Sequence, residues 1–105
     1  MNRVDLIGRL VKDPEIKTLQ SGKMLARFKI AVRRDFKDPD GEYRSDFLQV
    51  ISFSNVEAIG NYLKKGDRCA VIGRIQTGSY TNNDGQTIYT TDIYADRVEF
   101  LEKKS

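Results

Sequence analysis

A change of period constrains this chain more than any other feature. Most of its apolar stretches repeat every second residue, as strands do. One stretch, "SNVEAIGNYLKKG" (54–66), instead spaces Val56, Ile59 and Leu63 at helical intervals, with Tyr62 beside them. Ser54 and Glu57 have the spacing of a capping box, in which each side chain satisfies an orphan backbone donor. Gly66 is a good C-terminal stop, and Lys64 and Lys65 suit the negative end of the helix dipole. Gly60 costs a helix interior about 1 kcal/mol. The sequence therefore predicts one short helix, held by packing, in a chain otherwise made of strands.

The strands fall on both sides of it. "RVDLIGRL" is the first and is interrupted by "KDPE", where Pro14 lacks a donor and constrains Asp13. "LQSGK" reads as a turn around Gly22. "MLARFKIAVRR" has the clearest alternation, with Ala26, Phe28, Ile30 and Val32 on one face and Arg27, Lys29, Ala31 and Arg33 on the other. "DFKDPDGEYR" is a turn, and its oxygens lack the alternate spacing and distant glutamate of a calcium loop. "DFLQVISF" is the third strand. After the helix come "DRCAVIGRIQTGSY", the turn "TNNDGQ" with its Asp84-Gly85 pair, and "TIYTTDIYADRVEF", interrupted near Ala95-Asp96. The predicted class is all-β with one short helix. Three strands, a helix and two strands make the order of the OB-fold, a five-stranded Greek-key barrel that binds oligonucleotides or sugars through strands two and three and nearby loops.

Several chemistries are disfavoured. Zinc sites, His-based acid–base catalysis and triads lack their usual histidine, because the chain has none. Cys69, the single cysteine, sits in the apolar run "RCAVIG" and reads as a small buried side chain. An OB-fold nuclease would need carboxylates paired on a metal. Those present lie mostly in turns (Asp38, Asp40, Asp84) or next to cations, so no catalytic residue, metal or cofactor is expected. No run approaches the ~20 apolar residues of a membrane helix. The start lacks a signal peptide's apolar stretch, so a cytosolic, unprocessed chain is expected. Positive charge is concentrated early: residues 1–34 hold nine Lys and Arg against three Asp and Glu, and the remainder nine against twelve. An acidic partner such as nucleic acid suits that distribution.

The third strand carries a surplus of apolar side chains. Phe47, Gln49, Ile51 and Phe53 share one face, and Leu48 and Val50 share the other. If the first face lies beside Arg27, Lys29 and Arg33, cations meet flat rings, as single-stranded nucleic acid requires. Phe36 and Lys37 in the adjoining loop, and Tyr80 leading into the other hairpin, would extend that path. Alternation alone does not choose the wet face, and Phe is more often a core residue. Tyr43, Tyr62, Tyr89, Tyr94, Phe28 and Phe100 are assigned to packing.

In "NRVDLIGRLVKDPE", "SDFLQVISF", "YLKKGDRCAVIGRIQTGSYTNNDGQ" and "YTTDIYADRVEFL", and in the spacing between them, the chain resembles the bacterial single-stranded DNA-binding protein family over residues 2–101. The resemblance implies an OB-fold DNA-binding domain over 1–102, with 103–105 a short end. It implies a homotetramer, a dimer of dimers, around which single-stranded DNA wraps without strong sequence preference during replication, repair or recombination. The setting would be the nucleoid of a bacterial or phage-infected cell. The family's stacking rings match Phe36, Phe47, Phe53 and Tyr80. Matching basic positions include Lys17, Lys37, Lys64 and Lys65, and the strand around Arg3–Gly8 looks like the subunit-pairing strand. Together with Arg27, Lys29, Arg33, Gln49, Ile51 and Arg74 these make the expected binding set. Relatives often carry Trp at stacking positions, where this chain has none, and Arg where it has Gln49 and Gly78. Usual members also continue into a tail with an acidic tip that recruits replication and repair proteins. This sequence ends in the basic "LEKKS", so it reads as truncated or tailless and tail-borne partners are not expected.

Overall fold

The computed structural model describes residues 1–104. In chain order the elements are β1 (Val4–Leu10), β2 (Glu15–Thr18), β3 (Met24–Lys37), β4 (Tyr43–Ser52), α1 (Val56–Tyr62), β5 (Arg68–Thr81) and β6 (Thr87–Glu102). They form one sheet in the order β1-β5-β6-β4-β3-β2, closed by a further pairing of β1 with β3. All pairs are antiparallel except β4 with β6. This is the OB-fold barrel, with its first strand broken in two. The "KDPE" interruption falls where expected, but the chain resumes as β2, whose Glu15–Thr18 pairs with Arg27–Met24 of β3. No alternation marks β2, because all four of its residues are exposed.

The alternation of β3 decides what lies inside. Ala26, Phe28 and Ile30 are buried, and so are Val50 and Ser52 of β4, Cys69 and Val71 of β5, and Ile93 and Val98 of β6. The helix adds Val56 and Ile59, followed by Leu63. Truncating Ile59 to alanine would remove about 2–5 kcal/mol, the usual cost for a fully buried aliphatic side chain. Burial also pushes the Cys69 thiol up to about 11, so it is an inert core group.

Both helix ends depart from expectation. The N-cap is Asn55, in the left-handed region at φ 57°, with no side-chain cap bond. The Ser54–Glu57 capping box is not formed; instead the Ser52 hydroxyl donates to the Ser54 carbonyl at 2.8 Å. At the other end Leu63 turns extended directly after Tyr62, so Lys64, Lys65 and Gly66 lie beyond the helix. Gly66, at φ 88°, serves a following turn in which Asp67 N–H donates to the Lys64 carbonyl at 3.0 Å.

That turn presents Asp67, a buried carboxylate joining three segments. It accepts from Lys64 N–H (2.9 Å), Lys104 N–H (3.0 Å) and Lys103 Nζ (3.0 Å). These donors, led by the Lys104 amide, hold its pKa down to about 2. The helix exit and the end of β6 are thereby fastened to one point.

Three hairpins close through the same loop. In Leu19–Lys23, Asp38–Glu42 and Asn82–Gln86 the first N–H donates to the last carbonyl (2.7, 2.8 and 2.9 Å), and the fourth residue is a glycine at positive φ. This is the three-residue hairpin loop, a turn followed by a left-handed position that favours glycine. The latter two loops cap arms that outrun the barrel. β5 bends into its arm at Gly73, where the pairing skips Asp96 opposite: Ile72 faces Arg97, and Gly73 faces Ala95. A Cβ on Gly73 would stand 2.1 Å from the Tyr94 carbonyl oxygen, so only glycine fits there. The expected interruption at Ala95-Asp96 is this bulge.

Candidate nucleic-acid interface

The β3–β4 register answers the question that alternation left open. Val50 and Ser52 are buried and Leu48 packs against the core, so Phe47, Gln49 and Ile51 face outward. Arg27 is paired with Ile51, Lys29 with Gln49, Ala31 with Phe47 and Arg33 with Ser45. Directly opposed side chains lie ~5 Å apart at Cβ, so the cationic stripe and the apolar stripe form one surface. Beside Gln49, the missing arginine charge comes from Lys29.

The four expected rings are all open to solvent: Phe36 is 67% exposed, Phe47 62%, Phe53 46% and Tyr80 57%. Phe36 and Lys37 stand on the β3 arm and Tyr80 near the end of the β5 arm. Phe53, just past β4, lies under Lys23, whose Nζ is 5.8 Å from the ring centroid.

Charge on this face is not uniformly free. Arg27 Nη2 donates to Glu15 Oε2 at 3.0 Å, and that bond holds the Glu15 carboxyl below its usual range. Arg74 Nη1 stands 3.5 Å from Asp96 Oδ1. Lys29, Arg33 and Lys37 have no ion pair among the described residues. Arg33 instead lies over Tyr43, 3.9 Å from its centroid, with Lys37 on the same ring at 5.6 Å. A guanidinium stacked by its face keeps its N–H edge available for an anion. Arg34 is taken by Asp46 at 2.8–3.3 Å, which raises the arginine pKa and lowers the aspartate's.

The remaining expected residues lie apart from the sheet face. Lys64 follows the helix and returns Nζ to the Gly60 carbonyl at 3.2 Å. Lys65 N–H donates to Asp13 at 2.8 Å. Asp13 in turn lines an open cleft of about 220 Å³ with Lys12, Glu15, Arg27, Lys29 and Gln49. Lys17 is exposed on β2.

The packing assignment of the other aromatics needs correction. Phe28 is core, but Tyr43, Tyr62, Tyr89 and Phe100 are exposed and Tyr94 is half-buried. Tyr94 is the residue the sequence reading missed at the interface. Its ring stacks on Phe53 (centroids 6.4 Å apart, planes at 25°), with Arg74 above it at 5.5 Å. The signal available was its neighbour: Ile93 is core, so the next residue in an extended strand points out.

The profile of the single-strand binding protein family matches residues 1–101. The chain belongs to that family. Among family members, single-stranded DNA-binding protein 3 of Listeria innocua is 47% identical over 99% of this chain and 66% of its own length. Single-stranded DNA-binding protein 1 of Staphylococcus aureus is 44% identical over the whole chain and 68% of its own length. The chain thus spans about two thirds of these relatives. The fold is shared with a Plasmodium falciparum SSB solved in complex with single-stranded DNA, at a TM-score of 0.86 and 29% identity over 97% of this chain and 96% of that one.

Proposed function

We propose that this protein binds single-stranded DNA without strong sequence preference, stacking bases on Phe36, Phe47, Phe53 and Tyr80 and holding phosphates with Lys29, Arg33, Lys37 and their basic neighbours. The observation that carries this reading is the β3–β4 register, which sets unpaired cations beside exposed aromatic and apolar side chains on one outward face. Phosphates need the first and unpaired bases the second, whereas a duplex hides its base faces. Names in the family support the ligand, since the relatives are single-stranded DNA-binding proteins and the structural neighbour holds single-stranded DNA.

On this reading the protein is not an enzyme; it keeps transient single strands unpaired and protected in replication, repair and recombination near the nucleoid. Residues 1–102 form the binding unit, and four copies assemble. Half-exposed Ile7 on β1 offers an apolar contact for that assembly. A salt-titrated shift assay on poly-dT, with the mass of the complex measured, tests both parts. Retention should fall steeply with salt as counterion release weakens as a driving force. Salt-insensitive binding, equal retention of duplex, or cleavage of labelled strands with magnesium would overturn the reading.

A further inference from the structure

The outward face does not end at β4. Arg27 pairs with Ile51, Ile51 with Tyr94 in the parallel register, and Tyr94 with Arg74. One row of side chains therefore crosses β3, β4, β6 and β5, with an arginine at each end and an apolar and an aromatic residue between. Three strand spacings of ~4.8 Å make the backbone span of this row about 14 Å. Phe53 lies against its middle, nearly parallel to Tyr94.

We propose that Tyr94 is a base platform that continues the Phe53 platform across β6, so that the bound strand crosses the barrel along this row. The inference rests on the single-stranded DNA reading and adds a fifth ring to it. Three observations support it. Tyr94 is only half-buried, although its inward neighbour Ile93 is core. Its hydroxyl has no hydrogen-bond partner among the described residues, so packing leaves its polar end unused. Arg74 over the ring edges the platform with positive charge, where a phosphate can displace the weak 3.5 Å contact to Asp96. The neighbouring rings are too close, at 6.4 Å, for a third ring to enter between them without their separating, so bases stack along the pair's outer surface.

The chain contains no tryptophan, so Tyr94→Trp places a single indole reporter at the row. We expect its fluorescence to be quenched as oligo-dT binds and to recover with added salt. We also expect Tyr94→Leu to weaken oligo-dT binding about tenfold, the effect of one stacked base, and Tyr94→Phe to bind as the parent does. If Tyr94 merely props Phe53, Tyr94→Leu adds nothing in a Phe53→Ala background. A platform of its own predicts a further loss there. Phe47→Ala separates the levels. Unchanged indole emission in a Tyr94→Trp protein that still binds, or no loss from Tyr94→Leu beside a clear loss from Phe47→Ala, overturns the Tyr94 proposal alone. No loss from either variant overturns the stacking reading as well. Should Tyr94→Leu unfold, the fluorescence titration of Tyr94→Trp decides by itself.

Discussion

The β3–β4 hairpin and the β5–β6 hairpin both outrun the barrel and close through the same three-residue loop. Between Ile75 and Thr91 the second carries no lysine or arginine, whereas the first carries Arg33, Arg34, Lys37 and Arg44. The first arm is also laced by ion pairs: Arg34 to Asp46, and Arg44 to Asp38 and Asp40. The second is fixed by neutral contacts, as where Asn82 Oδ1 accepts from the Asp84 and Gln86 amides at 3.0 and 2.9 Å. One turn geometry thus serves two chemistries. The basic arm combines charge with a ring, at Lys37 and Phe36, while the neutral arm offers Tyr80 and Tyr89 alone. A strand held by both should respond to salt through the first and to base identity or removal through the second.

The harshest way to break the comparison is to dislodge the neutral arm at its root. Gly73→Ala forces a Cβ against the Tyr94 carbonyl and should cost about 3 kcal/mol or more, lowering Tm by roughly 10 °C or more in a thermal melt. The next effect is on affinity. Phe47→Ala, at the foot of the basic arm, should weaken oligo-dT binding about 10- to 100-fold with the fold intact, as read by titration and circular dichroism. Tyr80→Ala should show a loss no larger and leave the salt dependence unchanged. Arg33→Gln should do the reverse in kind: a smaller loss in affinity, with the slope of log K against log salt reduced by about 1. An identical slope in Arg33→Gln and Tyr80→Ala would erase the distinction between the arms.

Acid should spare both arms at first and act at Asp67. Its pKa is about 2 in the fold against 3.8 ordinarily, so its contribution is complete above about pH 4 and fades as pH falls towards 2. Melts between pH 5 and 2 should show that loss in the parent, and Asp67→Asn should remove its share of the slope. The smallest effect expected is a gain. Glu15→Gln frees Arg27 and should tighten oligo-dT binding by no more than a few-fold, as befits an exposed ion pair.

The order of strands and the place of the helix were legible because each element repeats its own period over seven or more residues. β2 was not, since four exposed residues carry no alternation and pair only through their backbone. The Ser54–Glu57 spacing misled, because Asn55 enters the helix from a left-handed conformation that puts neither side chain in reach. At the interface, Phe47 and Lys29 could be proposed from parity, but their meeting needed the register, which sequence does not state. Tyr94 depended on a parallel pairing between strands separated by the helix and all of β5, so local pattern could not bring it to Phe53.

Closure of the barrel also sets the timing of its assembly. β1 pairs Val4 with Gly73 and Gly8 with Cys69, and meets β3 only at Arg9 and Leu10. Its main partner is therefore made more than sixty residues later. At 5–20 residues per second, a ribosome leaves β1 without that partner for roughly 3–15 s. Such distant pairing slows folding and leaves Leu6 and Ile7 uncovered in the meantime. The segment synthesised first is among the last to find its place, so a growing chain stays open to aggregation until β5 emerges.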